Sequence, residues 1–454
     1  MSNDLKPPTS RAQFATKIGA IATTVGSAVG LGNIWRFPYE AGAHGGGAFM
    51  LCYLFFIFSI GIPVICAEFI LGRGTRSNIF GAYRKLSPNG KWYLAGYIGI
   101  VASIMILSFY SVVAGWTVEY FVQSAIGALD LPSQQHYHTH FDEFSTGNWR
   151  PMIWTLIFLA MNFVILMRGV TKGIEKASNV LMPMLFILLL IFCINSLTLD
   201  KASEGVYFLL HPDFSKIDST VLLGALGQAF FSLSLGLGCM MTYASYFNDK
   251  TRLGRSATMT AILDTIVAVL SGIIIFPAVF TFGVSPTAGP TLVFEVLPSI
   301  FHKLPGGVIW STLFFLLLFM ASLSSTISMS EISIAFFTEE KKMSRRKATI
   351  LNTVIAMVLG SLCALSFGCL GDFKIFGMTF FSLFDYVSSN ILLPTGGLIV
   401  SIFAGWVIDK KLLRDQMTNN GSFRFKALWL ITFCLRYVAP TGITLVFLDS
   451  IGLI

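Results

Sequence analysis

Long apolar runs separated by short polar segments make up most of the chain. A run of about 20 apolar residues is long enough for a helix to cross a bilayer. The sequence therefore predicts an all-α membrane protein with eleven transmembrane helices in a single transmembrane domain, residues 1–454. The approximate bounds of the predicted spans are 13–38, 46–71, 92–126, 149–168, 177–198, 218–246, 256–283, 305–338, 347–370, 376–407 and 424–452.

The first predicted span is interrupted at its centre by residues that are unfavourable in a helix. Residues 26–33 include three glycines and an asparagine. The sixth span has a comparable interruption at 232–238, and the tripeptide Gly-Leu-Gly occurs in both, at 30–32 and at 236–238. Backbone groups released at membrane depth are tolerated where they line a cavity or meet a ligand, so both breaks predict a binding site.

The separation of the two breaks predicts an internal symmetry. The broken spans are five spans apart, so the second unit enters the membrane from the opposite side. We expect two inverted repeats, residues 13–198 and 218–407, with broken helices 1 and 6 crossing at mid-membrane, followed by an eleventh helix at 424–452. The alternative is that two Gly-x-Gly tripeptides coincide by chance in a chain with 41 glycines.

Composition and charge agree with a membrane protein. The chain is 54% hydrophobic and only 12% charged, which excludes an ordinary soluble domain of 454 residues. The net charge of +8 comes from Lys and Arg concentrated in the loops of one side, and the positive-inside rule then predicts a cytoplasmic N-terminus. This distribution implies no nucleic-acid partner.

Two groups of metal-ligating residue types do not indicate a metal site. His136, His138 and His140 alternate in a polar segment between spans, where histidines are more often solvated than metal-bound. The seven cysteines fall in predicted apolar spans without metal-ligand spacing, which indicates packing residues.

Several motifs then identify a family. They lie at residues 30–39, 45–49, 227–234, 242–246 and 322–326, in order along nearly the whole chain. Together they resemble the motifs of the neurotransmitter:sodium symporter family, and the eleven predicted spans resemble its bacterial amino-acid transporters. The resemblance implies sodium-coupled symport of an amino acid into the cell by alternating access, across the bacterial inner (plasma) membrane.

The resemblance also implies a substrate site. The amides of Leu31 and Gly32 would hold the substrate carboxylate, with the Tyr110 hydroxyl as a further donor, although Tyr110 could instead be an interfacial anchor. Matching pocket positions are mostly apolar, which favours a hydrophobic or aromatic zwitterionic amino acid. The implied substrate-binding residues are Ala28, Gly30, Leu31, Gly32, Ile106, Tyr110, Phe231, Ser232, Ser234, Leu237, Ser325 and Met329.

Two sodium ions per substrate are implied in the same way. The first ion would take Ala28, Asn33, Ser232, Asp264 and an oxygen of the substrate carboxylate. The second ion would take backbone carbonyls and serine hydroxyls. The alternative is that these small residues only allow two helices to pack closely. These residues are Gly26, Val29, Ala321, Ser324 and Ser325.

Asp264 departs from the asparagine that animal members usually carry at this position. An ionisable residue at mid-membrane is a functional candidate, so we interpret Asp264 as the negative charge that replaces chloride.

The resemblance finally implies gates at the two mouths of the site. Arg36 would pair with Asp385 outside, Arg11 would pair with Glu339 inside, and an aromatic lid would be formed by Tyr110 with Phe231.

Two alternatives belong to other classes. A non-transporting amino-acid sensor on the same fold would bind without turnover, although the sequence predicts no sizeable cytoplasmic domain to relay a signal. An intramembrane enzyme is less favoured because the chain carries no His-Glu-x-x-His motif. The expected partners are an amino acid, sodium ions and membrane lipid, while the oligomeric state stays open.

Overall fold

The computed structural model describes residues 12–131, 133–283, 293–451 and 453. Every regular element within them is a helix, apart from a single bridge between Ile375 and Met378, so the predicted all-α fold is confirmed. Within the same residues, nine continuous helices are long and apolar enough to cross a membrane. They are Gly47–Thr75, Leu94–Ala125, Arg150–Met167, Val170–Ser196, Leu253–Thr281, Gly307–Glu339, Arg345–Leu365, Phe380–Val407 and Leu428–Asp449.

The first span is broken where its glycines predict. Helix Lys17–Ala28 and helix Gly32–Ala43 meet at an angle of 50°. The backbone leaves the helical conformation at Val29, whose φ and ψ are −67° and 118°. The second half then begins with a wide π-helical turn over Gly32–Arg36.

The sixth span is also broken. It consists of Ser219–Ser232 and Cys239–Ala244, which are each too short to cross a membrane alone. Gly236 and Gly238 in the connection have φ of 78° and 82°, a left-handed conformation that favours glycine. With this pair and the bent first pair, the described helices are consistent with eleven spans.

Some predicted boundaries were wrong. The fifth span begins at Val170 rather than 177, because a π-helical turn over Val170–Glu175 extends it. The ninth ends at Leu365, which leaves Cys369 exposed instead of packed in a span. The tenth begins at Phe380, after a turn in which Gly377 has a φ of 77°.

The long spans differ in burial according to their place in the bundle. Leu94–Ala125 is the most buried of them and packs along Gly307–Glu339 beside the two broken spans. Arg150–Met167 and Val170–Ser196 are among the least buried, and their exposed side chains are largely apolar, as expected for lipid-facing surface. The broken segments therefore lie inside the bundle, where released backbone groups find protein partners.

Candidate functional site

The break in the first span is linked to the third span by one hydrogen bond. The Leu31 amide donates to the Tyr110 hydroxyl at 2.9 Å, across 79 residues of sequence. The amide lies between the helix that ends at Ala28 and the one that begins at Gly32, where the helical hydrogen-bond ladder is interrupted. Tyr110 is buried, so it is not an interfacial anchor.

A small cavity lies beside this hydrogen bond. A side chain on Gly30 would overlap the Ser325 hydroxyl and come within 2.9 Å of the Tyr110 hydroxyl, so glycine keeps these groups close together. Of the predicted substrate residues, Leu31 lines the neighbouring outer cavity and Ser232 lies in a polar cluster. Leu393 also lines this cavity and was not predicted. The other predicted residues all line it, namely Ala28, Gly30, Gly32, Ile106, Tyr110, Phe231, Ser234, Leu237, Ser325 and Met329.

Asn33, Ser232 and Asp264 form a buried hydrogen-bonded cluster. Asn33 Nδ2 donates to Asp264 Oδ1 and to Ser232 Oγ, both at 2.8 Å. Ser232 Oγ donates to Asp264 Oδ2 at 2.6 Å. Asn33 Oδ1 accepts from the Gly30 amide at 3.0 Å, which ties the cluster to the break. Amide, hydroxyl and carboxylate oxygens concentrated in this way suit a hard cation such as sodium.

Tyr53 of the second span completes this cluster, and sequence reasoning missed it. Its hydroxyl donates to Ser232 Oγ at 3.3 Å and to Asp264 Oδ2 at 3.4 Å. The sequence carried little signal, because Tyr53 lies in an aromatic-rich apolar run that also suits packing.

A second group of oxygens lies between the first and eighth spans. The Val29 carbonyl accepts from Ser325 Oγ at 3.1 Å and from Ser324 Oγ at 3.5 Å, and Ser324 Oγ also donates to the Ala321 carbonyl at 2.9 Å. Gly26 is next to Ser324, since a side chain there would come within 3.5 Å of its Cβ. All five residues predicted for the second ion are therefore neighbours, with carbonyl and hydroxyl oxygens only.

Glu68 stabilises the break in the sixth span, and sequence reasoning missed this residue too. Its carboxylate accepts from the Gly236 amide at 2.9 Å and from the Met241 amide at 3.1 Å, and the side chain is fully buried. These are N–H groups that the interrupted helix leaves without a helical partner. A lone carboxylate inside an apolar span was the available signal.

The outer end of the site is a second cavity. Arg36 and Asp385 both line it, but the predicted pair between them is not formed in this conformation. Arg36 Nε lies 3.3 Å from Glu40 Oε1 instead, because Glu40 is one turn further along the same helix, and Asp385 accepts from Ser389 Oγ at 2.9 Å. The Arg36 guanidinium also lies 4.5 Å from the centre of the Phe231 ring.

Tyr110 and Phe231 line both the outer cavity and the deeper one. The two aromatic side chains therefore lie between the cavities, and their role as a lid stays a prediction.

The opposite end of the site is closed by packing. Phe14 packs edge-on against Tyr243 and Tyr246, and its amide donates to the Tyr246 carbonyl at 3.0 Å. Of the predicted inner gate, Arg11 lies outside the described residues. Glu339 accepts from the Asn78 amide at 2.8 Å and from the Asn78 side chain at 3.0 Å.

The three histidines do not converge on a metal. They belong to a helix, Gln134–Ser145, rather than to the predicted loop. Each side chain forms a hydrogen bond with a different partner: His136 with Ser133, His138 with Glu295 and His140 with Gln123. Burial, with a smaller contribution from Arg150, lowers the pKa of His140. In the described part of the chain, no group of three potential metal ligands occurs.

A helical membrane protein in which two interrupted spans meet at a cavity has the architecture of a secondary transporter. The oxygen clusters beside the cavity provide the groups that a co-transported cation needs.

Comparisons with known proteins lead to the same class. The Sodium:neurotransmitter symporter family matches residues 11–148 and 132–453 of the chain. The sodium-dependent transporter YhdH of Bacillus subtilis is 42% identical over 97% of this chain and 98% of that protein. The sodium- and chloride-dependent GABA transporter 2 of Homo sapiens is 27% identical over 97% of this chain and 80% of that one.

A solved structure is also similar over the whole chain. The crystal structure of MhsT in complex with L-phenylalanine has a TM-score of 0.90 and 42% identity, covering 97% of this chain and 100% of that one. The chain belongs to the sodium:neurotransmitter symporter family. It is a multi-pass, sodium-coupled membrane symporter and not an enzyme, which confirms the family predicted from the motifs.

Proposed function

We propose that the protein carries a hydrophobic or aromatic zwitterionic amino acid into the cell together with two sodium ions, by alternating access and without chloride. The proposal rests on the hydrogen bonds made at the break in the first helix. The Leu31 amide and Tyr110 hydroxyl meet beside a mostly apolar cavity, and the Asn33 cluster adjoins it through the Gly30 amide.

The proposed substrate pose follows from the chemistry of these groups. The substrate carboxylate replaces the Tyr110–Leu31 hydrogen bond with bonds to both donors, and the Gly32 amide adds a third. The side chain then faces Ile106, Leu237 and Met329. The complex of MhsT with L-phenylalanine, a protein 42% identical to this chain, supports an amino acid of this class.

The proposed coupling depends on a shared oxygen. One carboxylate oxygen of the substrate joins Ala28, Asn33, Ser232 and Asp264 around the first sodium ion, so that each ligand completes the site of the other. The second ion takes the carbonyls of Gly26, Val29 and Ala321 with the hydroxyls of Ser324 and Ser325.

The proposed independence from chloride rests on Asp264. Its carboxylate is fully buried and receives hydrogen bonds from Asn33, Ser232 and Tyr53, with no cationic side chain among these donors. A buried carboxylate without a cationic partner is costly, and a bound sodium ion compensates its charge. No chloride is then needed to balance the ion.

Two sodium ions provide ample driving force. Each moving charge contributes about 2.3 kcal/mol per 100 mV, and a tenfold gradient adds about 1.4 kcal/mol per ion. The total of roughly 7 kcal/mol sustains a substrate ratio near 10⁵. In this proposal the N-terminus is cytoplasmic in the bacterial plasma membrane, and residues 13–198 and 218–407 form two inverted repeats.

Uptake into proteoliposomes tests the proposal. We expect labelled L-phenylalanine or L-leucine to accumulate when an inward sodium gradient is imposed, and not when potassium replaces sodium. Accumulation should persist when gluconate replaces chloride. Sodium-dependent binding without accumulation would instead favour the amino-acid sensor, and accumulation independent of sodium would contradict the proposal.

A further inference from the structure

A cationic cavity lies far from the transport site, between the tenth and eleventh spans. It opens on the membrane side that carries residues 408–427. Lys410, Lys426 and Arg436 contribute positive charge to its lining, and none of the described residues that line it is acidic. The charge of the cavity therefore suits an anion.

Arg436 is the cation of this cavity whose charge most requires an anionic partner. It lies inside the apolar helix Leu428–Asp449, where a charged side chain is costly unless it is paired. Its Nε donates to the Gly405 carbonyl at 2.6 Å, and its guanidinium lies 5.2 Å from the centre of the Trp406 ring. Among the described residues, no carboxylate lies within ion-pair distance of Arg436, and Nε is the guanidinium nitrogen that donates a hydrogen bond. The two terminal nitrogens are therefore available to a ligand in the cavity.

The depth of the guanidinium matches a lipid headgroup. Gly405 lies two positions before Val407, where the tenth span ends, or about 3 Å of helix. Lys410 and Lys426 lie beyond the ends of the two spans and are exposed. The three cations therefore extend from the membrane interface a short way into the bilayer.

The remaining walls of the cavity are aromatic and apolar. Trp429, Phe433 and Tyr437 line it and are exposed to 71%, 49% and 50%. Trp and Tyr favour the level of the lipid headgroups, and exposed rings in a row provide a surface for an acyl chain. A small soluble anion would use the cations but not these rings.

We propose that this cavity binds an anionic glycerophospholipid, with its phosphate held by Arg436, Lys410 and Lys426 and its chains against Phe433 and Tyr437. Arginine presents paired N–H groups that match phosphate oxygens, and lysine adds charge. Basic pockets between membrane helices are known to bind lipid headgroups. The site is independent of the transport mechanism.

Native mass spectrometry of the delipidated, full-length protein tests this proposal. We expect phosphatidylglycerol to bind at least tenfold more tightly than phosphatidylcholine, and inorganic phosphate not to compete with it. Arg436→Gln, and separately the double variant Lys410→Gln with Lys426→Gln, should each reduce phosphatidylglycerol binding at least fivefold. The lysine variant keeps the test valid if Arg436→Gln fails to fold, because both lysines are exposed.

The matched control is Arg346→Gln with Lys347→Gln, two exposed cations at the start of helix Arg345–Leu365 that do not line the cavity. This control should bind phosphatidylglycerol as the unmodified protein does. Equal binding of the two lipids, an equal loss in the control, or competition by inorganic phosphate at the same concentration as the lipid would each overturn the proposal.

Discussion

The Tyr110 hydroxyl accepts a hydrogen bond of 2.9 Å from the Leu31 amide, which joins the third span to the break in the first. In the proposed substrate pose, both groups donate hydrogen bonds to the carboxylate of an amino acid in the adjoining cavity. The contact therefore holds the binding groups in position before the ligand arrives, which lowers the ordering cost of binding.

Removing this hydroxyl should weaken substrate binding. We expect Tyr110→Phe to lose one hydrogen bond to a charged group, about 1.5–3 kcal/mol, and so to raise the Kd for L-phenylalanine by roughly tenfold to hundredfold. Isothermal titration in saturating sodium measures this change. Tyr120→Phe is the control, because the Tyr120 hydroxyl is buried without a hydrogen-bond partner among the described residues. An equal effect of both variants would contradict the assignment.

Neutralising Asp264 should affect sodium rather than the fold. In Asp264→Asn, Oδ1 still accepts from Asn33, and the Ser232 and Tyr53 hydroxyls can turn to accept from the new NH₂ group. The cluster loses its negative charge, so we expect the sodium concentration for half-maximal uptake to rise at least about tenfold. The exposed Asp142→Asn is the control. Unchanged sodium dependence in Asp264→Asn would show that this carboxylate does not serve the ion.

Changing Glu68 should destabilise the break in the sixth span. Glu68→Gln replaces one acceptor oxygen by an NH₂ group, which cannot accept from the Gly236 or Met241 amide. The loss of a buried hydrogen bond costs about 1–3 kcal/mol, so a lower midpoint of thermal unfolding is expected. Glu204→Gln, at an exposed ion pair with Lys201, should leave the midpoint unchanged.

The arrangement of these residues was partly predictable from the sequence. The breaks were predictable because glycines and an asparagine inside an apolar run are unfavourable in a helix, and the motifs around them identify the family. The contacts of Tyr53 with Asp264 and of Glu68 with the sixth span were not predicted, because they join positions 211 and 168 or more residues apart. Sequence spacing within one helix carries no information about such pairs.

The predicted outer ion pair between Arg36 and Asp385 shows a second reason why a predicted contact can be absent from the structure. A transporter alternates between conformations with different contacts, and the sequence does not indicate in which conformation a predicted pair forms. Here Arg36 pairs with Glu40, its neighbour on the same helix, while Asp385 lies across an open cavity. The π-helical turn at Val170–Glu175 escaped prediction for a local reason, since its residues have no composition that distinguishes it from an ordinary helix.

The side-chain pocket should determine which amino acids are carried. Leu237 is buried and lines the cavity, so Leu237→Phe reduces the space available to the substrate. We expect the ratio of the Kd of L-phenylalanine to that of L-valine to rise at least fivefold, measured by competition binding. An unchanged ratio would mean that the substrate side chain points elsewhere.

In the proposed mechanism, sodium and the amino acid complete each other's sites at the break in the first helix. The most direct test is the Kd of L-phenylalanine as a function of sodium, with potassium keeping the ionic strength constant. We expect binding to tighten at least about tenfold with sodium, and substrate to tighten sodium binding by the same factor. Asn33→Ala should abolish this coupling, whereas Asn162→Ala, a buried asparagine outside the site, should retain it. Equal substrate affinity with and without sodium, or full coupling in Asn33→Ala, would contradict the claim.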